Sequence, residues 1–300
     1  MLAMLKKSLM KKQQKVKKLK NQKSLHQVEA PQKEEDLQNQ SENLQQKKKI
    51  SFSELKVWND CAFKHKLTYI DGIKGFTGNQ YTAFGTAIHY ACEWLVQDPK
   101  CNAEKVFKDK FVEELKLLDE GTVDKKMALQ MVDQGNHLVK FVIPALNEKF
   151  EKYEIVSIEE QLFEGITEFE TDVKFKGFID LVIKTDDGKY HVIDWKTCSW
   201  GWDMKRRSDP MTVYQLSFYK NYFAKKHNID PENVETYFAL LKRTAKKENV
   251  EIFRVTNGKK RVSNAIELLH KSLTHIKSKN YMKNKLSCSR CEFYKTAHCP

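Results

Sequence analysis

The order of patterns along this sequence predicts an α/β fold, a parallel or mixed sheet sandwiched by helices. Three observations carry that expectation. Lys176 to Lys196 reads as a β-hairpin, two runs of β-forming residues around Asp186-Asp187-Gly188. Further strand-like runs at 155–159, 169–175, 234–241 and 250–255 alternate with helical periodicity at 211–224 and 262–276. Long helical stretches at 103–118 and 126–152 precede the sheet and form a helical insertion over about 100–152. Elements in this order bury their apolar faces as layers of helix against sheet.

The chain begins with 1–49, rich in Lys, Gln and Glu and without an aromatic residue. Such a composition buries too little apolar surface to offset the entropy of ordering, so a disordered tail is expected. Leu2, Leu5, Leu9, Val16 and Leu19 keep a broken heptad spacing that suits a short basic helix on an anionic surface. From residue 50 to 300 the sequence reads as one domain. Ser51 and Glu54 have capping-box spacing, and Leu55, Trp58 and Phe63 can then face a core. Phe84 to His89 is expected to open the next helix, with Gly85 allowing close backbone approach and His89 one turn on. A structural histidine is the plainer reading of His89 taken alone.

The hairpin carries the chemistry. Strand side chains alternate, so Asp194 and Lys196 share one face while Ile193 and Trp195 take the other, and Asp180 separates from Ile179, Leu181 and Ile183. Acids are depleted from strand interiors, and a buried charge needs a partner. A divalent cation is the obvious one, since Mg2+ often binds through one or two carboxylates plus substrate phosphate. Glu159 and Glu160 should face oppositely, so one of the two can join the site. Trp200, Trp202, Lys205, Arg206 and Arg207 interleave cations with aromatics, a mixture suited to phosphate contact and base stacking or to a solvated loop. Gln215 and Tyr219 lie one turn apart on a helix and can position a phosphate or organise a metal shell.

Charge and cysteines set the partners. The 53 Lys and Arg against 40 Asp and Glu give a net +13, which suits a polyanion. Residues 1–50 hold 13 Lys and 5 acids, or +8, leaving +5 for the remainder. No run approaches the ~20 apolar residues of a membrane span, and residues 1–9 lack the apolar region of a secretory signal. An intracellular setting is expected, the cytoplasm of a bacterium or a phage-infected host. Cys288-x2-Cys291 followed by Cys299 then suggests metal ligation rather than disulfides. Cys61 is a candidate fourth ligand that would join the two ends of the fold, with His298 or His89 as zinc-ligand alternatives. On residues alone, an iron-sulfur cluster and Zn2+ are equally open.

Taken together these motifs resemble the PD-(D/E)XK nuclease superfamily, in particular the branch with the RecB and AddB nuclease domains, CRISPR-adaptation exonucleases and phage recombination nucleases. The resemblance rests on Gly85-x3-His89, Gly177-Phe178-Ile179-Asp180, Asp194-Trp195-Lys196 and Gln215-x3-Tyr219, flanked by Cys61 and by Cys288, Cys291 and Cys299, and runs from about Ser51 to Pro300. It implies a restriction-endonuclease-like mixed sheet with a cysteine-ligated metal site joining the N- and C-terminal parts, a 4Fe-4S cluster in the related proteins. It further implies Mg2+- or Mn2+-dependent hydrolysis of DNA. Asp180, Asp194, His89 and the Ile193 carbonyl would be metal ligands, Lys196 the residue that orients water or stabilises charge, Glu159 an auxiliary carboxylate, and Gln215 and Tyr219 substrate-positioning groups. The implied activity is an exonuclease on single strands or ends, with a flap or branched-DNA endonuclease as the variant and a zinc-containing, non-catalytic nucleic-acid-binding module as the competitor. The sequence lacks a Gly-x4-Gly-Lys-Ser/Thr loop, so any helicase, like any recombination protein, would be a partner.

Overall fold

The computed structural model describes residues 48–119 and 121–300. The expected tail lies outside them except for Lys48 and Lys49. Strand β1 (Lys49–Ser51) leads into α1 (Phe52–Asp60) and the short α2 (Ala62–His65), which runs into a π-helical turn, Lys66–Ile70. Ser51 caps α1 as expected, its hydroxyl accepting from Glu54 N at 3.2 Å, while the buried Glu54 carboxylate takes His65 Nε2 at 2.7 Å. The helical layer follows as α3 (Gln80–Gln97), α4 (Ala103–Leu115), α5 (Lys125–Leu138) and α6 (Val142–Phe150). Helix α3 starts earlier than the sequence suggests, because Asn79 and Thr82 form a reciprocal cap that places Gly85 in the second turn. The stretch expected as one helix from 126 to 152 is divided by a 3-10 turn at Val139–Phe141. Pro144, which has no N–H to donate, falls in the first turn of α6 where none is needed.

The sheet comprises β1, β2 (Tyr153–Gly165), β3 (Lys174–Thr185), β4 (Tyr190–Cys198), β5 (Val234–Lys242) and β6 (Val250–Arg254). It is mixed, as expected: β3/β4 and β5/β6 are antiparallel, β4/β5 parallel, and β3 also pairs with β1 in parallel and β2 antiparallel. Gly188, at φ 80°, closes the β3–β4 hairpin. Of the strand expected at 169–175 only Lys174 and Phe175 are strand, the first residues of β3, while 169–173 form an irregular connection. Between β4 and β5 lie α7 (Met204–Ser208) and α8 (Pro210–His227), the latter capped by Asp209 with Pro210 in its first turn. Helix α9 (Lys259–Lys277) completes the fold.

Two cores flank the sheet. One joins Leu55, Phe218, Tyr222 and Leu269 to Phe175, Ile179, Val192, Phe238 and Leu240. The other joins Phe84, Ile88, Phe107, Met131 and Leu146 to Leu181, Ile183, Ile193, Trp195 and Leu241. Period-two alternation therefore holds along β4 and β5. On β3 it breaks at Asp180, because Ile179 faces the first core while Leu181 and Ile183 face the second. The break coincides with Glu159 on β2, which has a left-handed φ of 51° and drops out of the ladder opposite Asp180. Among the described residues no helix is long and apolar enough to cross a membrane.

The expected cysteine-ligated metal site is not there. Among the described residues no three His, Cys, Asp or Glu side chains form a group able to hold a metal ion. All seven cysteines are free thiols. The N- and C-terminal parts do meet, and hydrogen bonds hold them: Asp60 O accepts from Asn284 Nδ2 at 2.9 Å and Ser287 Oγ at 2.7 Å, and Lys64 pairs with Glu292 at 2.7 Å. Cys61 Sγ caps α2 by accepting from Lys64 N and also accepts from Asn284 N at 3.3 Å, while Cys288 Sγ donates to Asn284 O. Cys291 and Cys299 sit in local turns, bonded through their backbone N–H groups to Cys288 O and Thr296 O. Spacing brought the segments together correctly, but it does not encode the direction in which each thiol points.

Candidate active site

The site forms where one edge of β3 is left open. Along that edge β1 pairs with Lys174–Lys176 and β4 with Leu181–Lys184, so Gly177 to Asp180 face neither strand. Ile193 is the last β4 residue paired with β3; beyond it β4 continues only against β5. The strands part, and the Asp180 side chain fills the notch, accepting from the Trp195 backbone N–H at Oδ2 (2.7 Å). Its other oxygen lies 3.6 Å from His89 Nδ1 on α3. Asp194 and Lys196 project from β4 on the side of α8, with Lys196 Nζ 2.5 Å from Asp194 Oδ2.

Electrostatics distinguish the two acids. Burial alone would raise both. At Asp180 that is outweighed by His89, Lys196 and the Trp195 N–H, so its carboxyl is held below the usual range. Asp194, 2% exposed, is pushed up to about 6 by burial and by Asp180, against the pull of Lys196. Burial would lower His89, but Asp180 prevails and raises it.

A divalent cation fits this donor set. Asp194 is buried with the Lys196 ammonium at its Oδ2 (2.5 Å) and lies next to a second acid, Asp180, and a desolvated carboxylate next to a second one is stabilised by a cation. The described residues hold no ready cage of three such ligands; two carboxylates completed by water and phosphate are what Mg2+ ordinarily takes.

The remaining expectations sort clearly. Gln215 Nε2 donates to Tyr219 OH at 2.9 Å, and Tyr219 is buried, its phenol raised by burial and by Asp194 and Asp180. Gly177 makes room for that ring, since a Cβ there would lie 2.9 Å from Tyr219 Cε1. Gly85 faces Thr197 on β4 without the expected close approach, since a Cβ there would make only ordinary contact, 3.7 Å from Thr197 Oγ1. Of the two glutamates, Glu160 pairs with His227 (3.0 Å) and Lys226, and Glu159 lies on β2 opposite Asp180. The basic-aromatic segment divides: Trp202 is buried against Phe238 with Arg206 stacked on it, and Arg207 pairs with Glu251 at 2.6 Å, whereas Trp200 stays exposed. The Trp195 N–H was not foreseen as a contributor, because only the parting of the strands frees it.

The matched family profile is that of the PD-(D/E)XK nuclease superfamily, over residues 49–297. The chain belongs to this superfamily. Among solved structures, a candidate exonuclease from Eubacterium rectale is similar to the PD-(D/E)XK chain at 14% identity and a TM-score of 0.57, covering 92% of this chain and 96% of that one. A second structure, SSO0001, has 12% identity and a TM-score of 0.38, covering 85% and 91%. At 14% identity the likeness to the Eubacterium rectale structure concerns the fold alone. No curated protein sequence matches significantly.

Proposed function

We propose that the protein is a Mg2+- or Mn2+-dependent deoxyribonuclease of the RecB/AddB-like or phage kind, acting as an exonuclease on single strands or DNA ends in recombination, repair or replication. The observation that carries this reading is the notch, where Asp180, Asp194, Lys196 and His89 meet at the parting of β3 and β4. Family membership and the likeness to the Eubacterium rectale fold support it.

In this mechanism Asp180 and Asp194 would hold the cation, with His89 beside Asp180 and the Ile193 carbonyl as a further oxygen. Held there, it would supply Lewis acidity for a phosphoryl oxygen and for the attacking water. Lys196 points its ammonium at the same place, where it orients the attacking water and stabilises charge accumulating on the phosphate. The Trp195 N–H fixes the rotamer of Asp180. Tyr219, held by Gln215, walls the site on the α8 side and positions substrate, and Glu159 assists from β2.

The test compares wild type with Lys196→Ala on end-labelled linear, circular single-stranded and flapped DNA, with Mg2+, Mn2+ or EDTA. Metal-dependent degradation of linear strands, lost in the variant, is expected. Cutting of circles or flap junctions would reassign the activity to an endonuclease on the same chemistry. Binding without cleavage on every substrate would overturn the nuclease reading.

A further inference from the structure

We infer that the exposed face of Trp200, together with Tyr81 and Arg243, is a stacking platform for the unpaired bases of a single strand leading into the notch. This deepens the nuclease reading and rests on it. Trp200 is 79% exposed, although large aromatic side chains usually bury most of their surface. Its backbone is not a loose loop. Cys198 O accepts from Arg243 N at 3.0 Å and Ser199 O from Thr244 N at 2.9 Å, so β4's exit is laced to the end of β5 directly before Trp200. A second bond reaches Ser199 O from Thr244 Oγ1 at 2.9 Å. A pinned main chain thus presents an indole to solvent four residues beyond Lys196.

Arg243 links this segment to a second ring. Its guanidinium lies 5.2 Å from the Tyr81 ring centroid and donates to Gln134 Oε1 at 2.8 Å and Ser199 Oγ at 3.4 Å. Tyr81, 45% exposed, occupies the first turn of α3. Tyr81, Gly85 and His89 recur every fourth residue, so they share one helix face, with Gly85 against Thr197 on β4. From Tyr81 to His89 is ~12 Å of helix, or roughly three to four nucleotides at the ~3.4 Å spacing of stacked bases. The platform is therefore placed to engage bases a few nucleotides from the phosphate at the notch.

The chemistry selects an unpaired strand. In a duplex the base faces are hidden in the stack, and a protein gains its affinity from phosphates. An exposed indole, and nearby in the fold an exposed phenol with a guanidinium over its ring, offer a single strand stacking surfaces that accept any base. Nearby cations have different tasks: Arg207 and Lys242 are engaged with Glu251, and Arg206 packs on the buried Trp202.

Binding is measured in EDTA, with labelled 12-nucleotide single strands and blunt duplexes of the same sequence, for wild type, Trp200→Ala, Trp200→Phe and Tyr81→Ala. Trp200→Ala is expected to weaken single-strand binding roughly 5- to 150-fold, the range for one base-aromatic stack, with duplex binding changed less than twofold and Trp200→Phe close to wild type. The wild type's tryptophan fluorescence should be quenched by the single strand and the quenching lost in Trp200→Phe, since the change removes the most exposed indole. Unchanged single-strand affinity in Trp200→Ala, or equal loss on both DNAs, overturns the platform. Failure of the nuclease reading looks different, because it leaves every linear DNA uncut by the wild type whatever these affinities are.

Discussion

At the scale of single residues, Asp194 is costly to the fold it sits in. Its carboxyl is pushed up to about 6 from 3.8 by burial first and Asp180 second. Below pH ~3.8 folded and unfolded chains both carry the proton; between 3.8 and 6 the folded chain keeps a proton that the unfolded chain releases, so stability falls as pH rises; above 6 the full penalty, about 3 kcal/mol, is present. In EDTA at pH 8 the Asp194→Asn variant should resist urea better than wild type, by up to about 3 kcal/mol, with the gain shrinking towards pH 5. Its cleavage activity should be lost. A variant less stable than wild type at pH 8 would mean that the Lys196 pair outweighs the burial. The sequence disclosed the identity of this acid and of Lys196, because Asp-x-Lys on a strand fixes a shared face. It did not disclose that Asp180 leaves that alternation, since the irregularity opposite it, a left-handed Glu159 on the neighbouring strand, lies 21 residues away in sequence.

At the scale of elements, what was legible is what is local. The β3–β4 hairpin, helix α8 and the β5–β6 pair follow from periodicity and turn residues, and all appear within a few residues of their expected bounds. The start of α3 and the break before α6 were misjudged where a cap at Asn79 and a proline at 144 override periodicity. The largest error concerns the segment 280–300. Its cysteine spacing pointed to a metal clamp, whereas its docking is carried by Asn284, whose side chain reaches Asp60 O, Ser287 Oγ and Leu286 N together. Asn284→Ala should therefore lower stability by roughly 1–2 kcal/mol and expose the Tyr281–Arg290 stretch to proteases, while iron or zinc chelators should not. Chelator-induced release of this segment would contradict the hydrogen-bonded docking.

At the scale of the molecule, catalytic geometry and electrostatic attraction are separable. The notch needs both cores, since Asp180 is placed by β3 between the helix layers that orient His89 on one side and Tyr219 on the other. The net charge is distributed otherwise: of +13, residues 1–50 supply +8. Residues 1–47 alone hold 11 Lys and 5 acids, a net +6. Each phosphate neutralised on a single strand contributes about −0.7 to the slope of log affinity against log salt. Removing residues 1–47 should therefore flatten that slope for long single strands and weaken binding most at low salt, while kcat on short oligonucleotides and the unfolding midpoint stay near those of the full chain. A kcat that fell with the truncation at saturating substrate would place part of the catalytic apparatus in residues 1–47. An unchanged salt slope would mean that the +7 of residues 48–300 already provides the whole electrostatic contact with DNA.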